Sequence, residues 1–225
     1  MIKKTKIAIL GGAGFIGHNL ALELSRNKKY KLLIIDILKV NNINSTVHTP
    51  KKNKKLLSKI LKNRLNLLKK EKLKIQNLDI KNFNSLKKRM NYFKPDYIFH
   101  FAAVSHANIS NIDPKYTFDN SVETLMNTLE IVKVLNCQLI YLSSSMVYGN
   151  FNGKKVNELT KCNPLGIYGN FKHICEKMIQ SYNQVFNIKY TIIRPSALYG
   201  ERCISRRVGQ IFIENALMNK TIKIN

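Results

Sequence analysis

The 225-residue sequence has few acidic residues, few cysteines and no long apolar run. No stretch approaches the roughly 18 apolar residues of a membrane span, so we expect no membrane-spanning helix and no membrane partner. The apolar stretch near the N-terminus is too short for a signal sequence and runs into glycines, which predicts a cytoplasmic location. The chain is 44% hydrophobic and 23% charged, as in ordinary globular proteins, which argues against disordered, collagen-like and coiled-coil chains.

Cysteines are scarce and far apart. The four residues form no C-x-x-C pair, and no Cys/His cluster has the spacing of a zinc site. They are Cys137, Cys162, Cys175 and Cys203. We therefore expect free thiols in a reducing compartment and no bound metal.

The shortage of acidic residues leaves a strongly basic chain. Thirteen Asp and Glu face 38 Lys and Arg, which gives a formal charge of +25. Eleven of the basic residues fall between Lys51 and Lys74, where Glu71 is the one acid, and the others are scattered and mostly lysine. Compositional drift with a solvated helix face, attraction of anionic substrates and nucleic-acid binding are all open interpretations. The scattered distribution favours the first and makes nucleic-acid binding the weakest.

Short apolar runs alternate with longer helical patterns along the chain. Strands that are continuously apolar and alternate with helices are typical of a parallel sheet covered on both faces. Right-handed crossovers then give an α/β, doubly wound Rossmann fold. The predicted strands are Lys6–Leu10, Lys31–Ile35, Lys74–Asn77, Asp96–Phe101, Gln138–Ser143 and Lys189–Arg194.

The helical patterns fill the gaps between these strands. A leucine stripe at helical spacing runs through the basic segment Lys51–Lys70. We expect one domain over residues 1–200 and the beginning of a second region over residues 201–225, where Thr221–Asn225 turns extended. The predicted helices are Gly14–Arg26, Lys51–Lys70, Phe83–Phe93, Thr117–Asn136, Gly166–Phe186 and Arg207–Asn219.

A glycine-rich turn lies between the first strand and the first helix. Gly11, Gly14 and Gly17 allow a tight turn and a close approach of the backbone to a pyrophosphate, with the helix N-terminus facing the phosphates. Asp36 ends the second strand, where a carboxylate accepts hydrogen bonds from a ribose diol and repels a 2′-phosphate. No Arg follows Asp36. The pattern therefore predicts NAD rather than NADP.

Two further patterns suggest acid–base chemistry. Tyr168 and Lys172 are four residues apart, which places both side chains on one face of a helix. A neighbouring ammonium makes a phenol a better base by favouring the phenolate. Ser143 ends the Gln138–Ser143 strand and Ser144 and Ser145 follow it, at the carboxyl end of the sheet where α/β proteins bind ligands.

Together these motifs resemble the extended short-chain dehydrogenase/reductase superfamily, in its branch of NAD-dependent nucleotide-sugar epimerases and dehydratases. The resemblance runs from Lys6 to the last residue. It includes Asp79-Ile80, His100-Phe101-Ala102-Ala103, Asn120 and the segment Arg194-Pro195-Ser196-Ala197-Leu198-Tyr199-Gly200. It implies that Tyr168 is the acid/base, that Lys172 assists it and holds the nicotinamide ribose, and that Ser144 is the catalytic hydroxyl.

The resemblance also implies which residues bind the ligands. Ser145 and Tyr148 would face the sugar, and no residue would bind a metal. The residues expected to line NAD are Gly11, Gly14, Phe15, Ile16, Gly17, Asp36, Asp79, Ile80, Ala102, Ala103, Asn120, Tyr168, Lys172 and Pro195.

The expected reaction is reversible oxidation at a sugar carbinol carbon, as in 4-epimerases, in the synthesis of cell-surface polysaccharide precursors. Sugar dehydratases of this family resemble one another in an Asp-Glu pair where this chain has Ser145 and Met146, which argues against elimination chemistry. Keto-sugar reduction, dehydration and a non-catalytic NAD-binding role remain alternatives. Relatives typically reach about 300 residues, so we expect most of the substrate-binding region to be missing. A homodimer through the Thr117–Asn136 and Gly166–Phe186 helices is also expected.

Overall fold

The structure is a computed structural model that describes residues 3–40, 42, 54–105, 107–151, 153, 155–204 and 208–222. Its strands form one parallel sheet in the order β3-β2-β1-β4-β5-β6, which confirms the predicted doubly wound α/β fold. The strands are β1 (Thr5–Leu10), β2 (Tyr30–Ile35), β3 (Ile75–Gln76), β4 (Tyr97–His100), β5 (Gln138–Leu142) and β6 (Tyr190–Ile193).

Helices cover both faces of the sheet. Two clusters of buried apolar side chains lie on opposite faces, as expected for strands apolar on both sides. Ala8 and Leu10 of β1 belong to one cluster and Ile7 and Ile9 to the other, because successive side chains of a strand point to opposite faces. The helices are α1 (Phe15–Ser25), α2 (Lys54–Lys70), α3 (Phe83–Phe93), α4 (Ala107–Ile112), α5 (Pro114–Phe118), α6 (Thr124–Leu135), α7 (Gly166–Phe186) and α8 (Val208–Leu217).

The helix predicted over Thr117–Asn136 is present, but it starts earlier and contains one π-helical turn. The chain enters α5 at Pro114, where the Asp113 side chain accepts a hydrogen bond from the Tyr116 amide. A π-helical turn, Asp119–Glu123, then separates α5 from α6. Such a turn widens the helix by one residue, and at this place it carries Asn120 to the carboxyl edge of the sheet.

The basic segment forms α2, and most of its leucine stripe faces the protein, although Leu56 near its start is 44% exposed. Leu61 and Leu68 are buried, whereas the lysines of the opposite side are exposed. The predicted start of this helix at Lys51 and the extended end of Thr221–Asn225 lie partly outside the described residues. No helix in the described part of the chain is long and apolar enough to cross a bilayer.

Candidate active site

The glycine turn connects β1 to α1 at the carboxyl edge of the sheet. Gly11 has a φ of +79°, and a Cβ placed on it would lie 2.7 Å from the backbone nitrogen of Ala102. A Cβ on Gly17 would collide with the carbonyl oxygen of Gly11, which also accepts the Gly14 amide at 3.1 Å. Only glycine fits at these two positions, so the first turn of α1 packs directly against the loop and presents its amides to the cleft.

Asp36 lies one residue beyond the end of β2 and faces the same turn. One carboxylate oxygen accepts the Ala13 amide at 2.9 Å, and the other accepts the Leu38 amide at 2.7 Å. Burial raises the pKa of Asp36, and the two backbone donors oppose that rise. The amides fix the carboxylate at the edge of the cleft, and each oxygen keeps a lone pair for a further donor.

Lys172 and Tyr168 lie one turn apart on α7, above the end of β5. The Lys172 ammonium donates to the Leu142 carbonyl at 2.7 Å and lies 3.4 Å from the Tyr141 hydroxyl. It also lies 4.9 Å from the centre of the Tyr141 ring, a cation–π distance. Burial raises the pKa of Tyr141 well above its ordinary value, so this phenol stays neutral and cannot replace Tyr168 as a base.

Two serines follow β5 at the floor of the site. The Ser144 hydroxyl accepts the Met146 amide at 3.2 Å and caps the short 3₁₀ turn Ser145–Tyr148. The neighbouring Ser143 hydroxyl is buried and has no hydrogen-bond partner in the described structure. A buried hydroxyl without a partner costs free energy unless a ligand satisfies it, so Ser143 marks a place for a polar ligand atom.

These elements line one open cleft at the carboxyl edge of the sheet. All residues predicted to be catalytic or to bind the cofactor line this cleft, namely Gly11, Gly14, Phe15, Ile16, Gly17, Asp36, Asp79, Ile80, Ala102, Ala103, Asn120, Ser144, Tyr168, Lys172 and Pro195.

The two residues predicted to face the sugar do not line the cleft. Ser145 donates its amide to the Pro195 carbonyl at 2.9 Å. Tyr148 is buried, and its hydroxyl accepts a hydrogen bond from Arg194 at 3.0 Å. Arg194 also donates to both carboxylate oxygens of Glu176, at 3.0 and 2.7 Å. The ion pair with Glu176 thus holds the start of the family segment, and the Tyr148 hydroxyl adds a hydrogen bond to the same guanidinium.

Glu176 also belongs to a cluster that the sequence did not predict. Ligand atoms of Cys162, His173 and Glu176 lie within 4.8 Å of one another. The bidentate ion pair with Arg194 already balances the Glu176 carboxylate.

His100 belongs to the motif that the family places beside the cofactor, but its side chain faces the core. It is fully buried, and its Nδ1 lies 3.0 Å from the Thr128 hydroxyl. Burial, with a smaller contribution from the Lys172 charge, lowers the pKa of His100 to about 3. It is therefore a neutral core histidine.

Arg64 of α2 is a lining residue that sequence reasoning missed. It is 1% exposed, and its Nε and Nη2 donate to the Arg202 carbonyl at 3.0 and 2.5 Å. Its guanidinium lies 5.9 Å from the centre of the Phe15 ring, and burial lowers its pKa to about 10. Arg64 occupies a position of the apolar stripe, between Leu61 and Leu68. A charged residue at such a position is a sequence signal of a buried polar contact.

The Arg202 side chain completes this link. It donates to His18 Nε2 at 2.9 Å and to the Asn19 side-chain oxygen at 3.0 Å, both on α1. Arg64 and Arg202 thus connect α2, α1 and the segment that contains Cys203, which also lines the cleft.

The chemistry of the cleft fits a dinucleotide. The glycine turn and the N-terminus of α1 suit a pyrophosphate, and Asp36 suits a ribose diol. The orphaned Ser143 hydroxyl and the Lys172 ammonium supply polar partners at the other end, near Tyr168. The residues present are therefore those that NAD requires.

Comparisons with known proteins agree with this geometry. The sequence pattern of the "NAD dependent epimerase/dehydratase family" matches residues 7–225. An uncharacterized UDP-glucose epimerase of Bacillus subtilis, YtcB, is 34% identical and is matched over 97% of this chain and 65% of its own length. A dTDP-D-glucose 4,6-dehydratase of Dictyostelium discoideum is 30% identical, over 98% of this chain and 50% of that protein.

A solved structure shares the fold. The UDP-glucuronic acid 4-epimerase of Bacillus cereus, in complex with UDP-glucuronic acid and NAD, superposes with a TM-score of 0.80 at 26% identity. The superposition covers 98% of this chain and 65% of that one. The chain thus spans just under two thirds of the length of both bacterial relatives.

Proposed function

The chain belongs to the NAD-dependent epimerase/dehydratase family, and we propose that it binds NAD and acts as a nucleotide-sugar epimerase. One observation carries the proposal: Tyr168, Lys172 and Ser144 line the same cleft as the glycine turn and Asp36. An acid/base group, a cation and a hydroxyl beside a dinucleotide site are what reversible oxidation of an alcohol needs.

In this proposal, bound NAD supplies the group that accepts a hydride from the sugar and later returns it. Tyr168 takes the proton of the sugar hydroxyl and gives it back after the keto-sugar has turned over. The Lys172 ammonium, held by the Leu142 carbonyl, stabilises the negative charge that develops on the phenol oxygen. Ser144 donates a hydrogen bond to the same substrate oxygen. Its hydroxyl hydrogen is available for this, because in the cap it acts as an acceptor.

We propose UDP-sugars as the first substrates to test, because a structural neighbour at 26% identity is a UDP-glucuronic acid 4-epimerase in complex with UDP-glucuronic acid. Elimination is the second candidate, since one relative is named as a dTDP-D-glucose 4,6-dehydratase. Ser145 and Met146 offer no carboxylate for that reaction, so the residues favour epimerisation. A keto-sugar reductase would differ from both by consuming NADH in step with product.

The experiment incubates the purified chain with NAD and a panel of UDP-, GDP- and dTDP-sugars and separates the epimers by chromatography. We expect one epimer pair to interconvert without net change in NADH absorbance. Tyr168→Phe should lower turnover by a factor of about 10² to 10⁴, the usual contribution of a general acid–base group, with NAD affinity nearly unchanged. Tyr92→Phe is the matched control, because Tyr92 is 81% exposed on α3. Full activity of the Tyr168 variant would refute the assignment.

We also propose that two chains associate through α6 and α7. These helices pack together and expose apolar side chains on their outer surfaces, including Met126, Ile174 and Phe186 at 41%, 44% and 47%. Light scattering after gel filtration should give twice the chain mass. Ile174→Glu should give a monomer, and a wild-type monomer at micromolar concentration would contradict the proposal.

A further inference from the structure

The edge of the sheet opposite the cleft carries a dense group of lysines. In a parallel sheet all strands begin at one edge, so the segments that precede the strands meet there. Exposed lysines reach this edge from the starts of four strands, β1 to β4, and from the C-terminal ends of α2 and α3. We call this group the basal lysines: Lys3, Lys4, Lys28, Lys29, Lys31, Lys69, Lys70, Lys72, Lys74 and Lys94.

Backbone contacts show that these segments are neighbours. The Thr5 amide donates to the Lys29 carbonyl at 2.9 Å, which joins the starts of β1 and β2. The Asp96 amide donates to the Lys6 carbonyl at 2.8 Å, which joins the start of β1 to the turn before β4. The order β3-β2-β1-β4 makes all four starts adjacent, over about 14 Å at the usual strand spacing. The lysines therefore form one continuous surface.

The positive charge of this surface is not balanced locally. All ten basal lysines are exposed, and none forms an ion pair within the described residues. Glu71 and Asp96 are the nearby acids in sequence, so two carboxylates face ten ammonium groups. Glu23 is paired with Arg26. By contrast, Lys115 and Lys133, elsewhere on the protein, have carboxylate partners.

The lack of a long apolar run led us to expect no membrane partner, but the charge of this surface points the other way, and we propose that the basal lysines dock the protein on the surface of an anionic lipid bilayer. Each Lys or Arg near an anionic membrane surface contributes about 1 kcal/mol, or roughly fivefold in partitioning, and clusters of about four to eight are typical of segments that bind such surfaces. This group contains ten. Adsorption of this kind needs no apolar insertion, so it is compatible with the lack of a membrane-crossing helix in the described residues.

The composition of the surface favours lipid over nucleic acid. Base recognition and bidentate phosphate binding rely on arginine, whereas all ten basal residues are lysine and the nearby Arg26 is engaged by Glu23. Lysine ammonium groups act as point charges, which suits a diffuse layer of headgroups. The orientation is also favourable, because the cleft opens at the opposite edge of the sheet and stays accessible to soluble ligands.

The test measures sedimentation of the 225-residue chain with vesicles of phosphatidylcholine, alone or mixed with phosphatidylglycerol. A basal variant replaces Lys28, Lys29, Lys72 and Lys74 by Gln. A control variant of equal charge replaces Lys55, Lys59, Lys161 and Lys177, which are exposed and lie elsewhere. We expect binding to the mixed vesicles that weakens steeply with salt, and a loss of at least about tenfold in the basal variant.

The control variant should retain binding within about threefold, since charges beyond a Debye length from the surface contribute little. Equal losses in the two variants would show that net charge, not this surface, is responsible, and would overturn the proposal. So would sedimentation that does not depend on phosphatidylglycerol. Tighter binding to duplex RNA than to the mixed vesicles at the same salt, lost in the basal variant, would assign the surface to nucleic acid instead.

Discussion

Acid should weaken the fold through His18, which lies under the glycine turn. Its Nε2 accepts a hydrogen bond from Arg202 at 2.9 Å, so the proton of the neutral ring is on Nδ1, which donates to the Gly14 carbonyl at 2.8 Å. Burial is the main reason why the pKa of His18 falls from 6.5 to about 4. The hydrogen bond to Gly14 opposes this fall, and the charges of Arg64 and Arg202 add to it. Protonation would remove the acceptor for Arg202 and place three cations together.

The sign follows from proton linkage. Between pH 6.5 and about 4 the unfolded chain binds a proton at this residue and the folded chain does not, so stability falls as the pH falls through this window. Between about pH 7.5 and about pH 5.5 the loss is about 1.4 kcal/mol. His100, with a pKa near 3, adds a similar loss over the same interval. Asp36, whose pKa is raised, acts in the opposite direction.

The assay compares urea unfolding of the wild type and His18→Gln at these two pH values, followed by circular dichroism. Glutamine keeps a donor and an acceptor but does not titrate. On acidification, the free energy of unfolding of the variant should fall by about 1.4 kcal/mol less than that of the wild type. At an m-value of about 2–3 kcal/mol/M, the urea midpoint of the variant should therefore fall by about 0.5 M less. His100 and Asp36 contribute equally to both proteins. An identical pH dependence in the two would refute the reasoning.

Three further predictions concern the walls of the cleft. Gly17→Ala should weaken NAD binding at least about tenfold in calorimetry, because the added methyl would collide with the Gly11 carbonyl. Gly209→Ala is the control: the added carbon has open space around it, so the NAD affinity should not change. Arg64→Met should lower the free energy of unfolding by about 1–3 kcal/mol, because it leaves the Arg202 carbonyl without its donors. An unchanged free energy in urea unfolding would show that water replaces the guanidinium at this carbonyl. Asp36→Ser should raise the ratio of NADP to NAD affinity at least about tenfold, and an unchanged ratio in competition binding would remove Asp36 from cofactor selection.

Local signals were enough to predict the sheet and its dinucleotide turn. Apolar β-branched runs, separated by helical patterns, specify parallel strands, and a glycine trio between a strand and a helix has few structural solutions. The spacing of Tyr168 and Lys172 predicted a shared helix face, and both residues line the cleft. These features depend on neighbours in sequence, which a single chain reveals.

The features that were missed depend on contacts between distant segments. Arg64 bonds to Arg202, which is 138 residues away, and its basic neighbours concealed it within a charged run. Tyr148 follows Ser144 closely in sequence, but its hydroxyl accepts a hydrogen bond from Arg194 and the residue does not line the cleft. The π-helical turn between α5 and α6 contains neither proline nor glycine, so the continuous helical pattern gave no sign of it.

The most direct test of the proposed function uses a UDP-sugar carrying deuterium on the carbon that is inverted. Reversible oxidation in the cleft predicts that the isolated epimer retains the deuterium, because the hydrogen returns to the same carbon without exchanging with water. Tyr168→Phe should abolish formation of that labelled epimer. An epimer that has exchanged its deuterium for solvent hydrogen would contradict the account, since it would require removal of a proton from carbon.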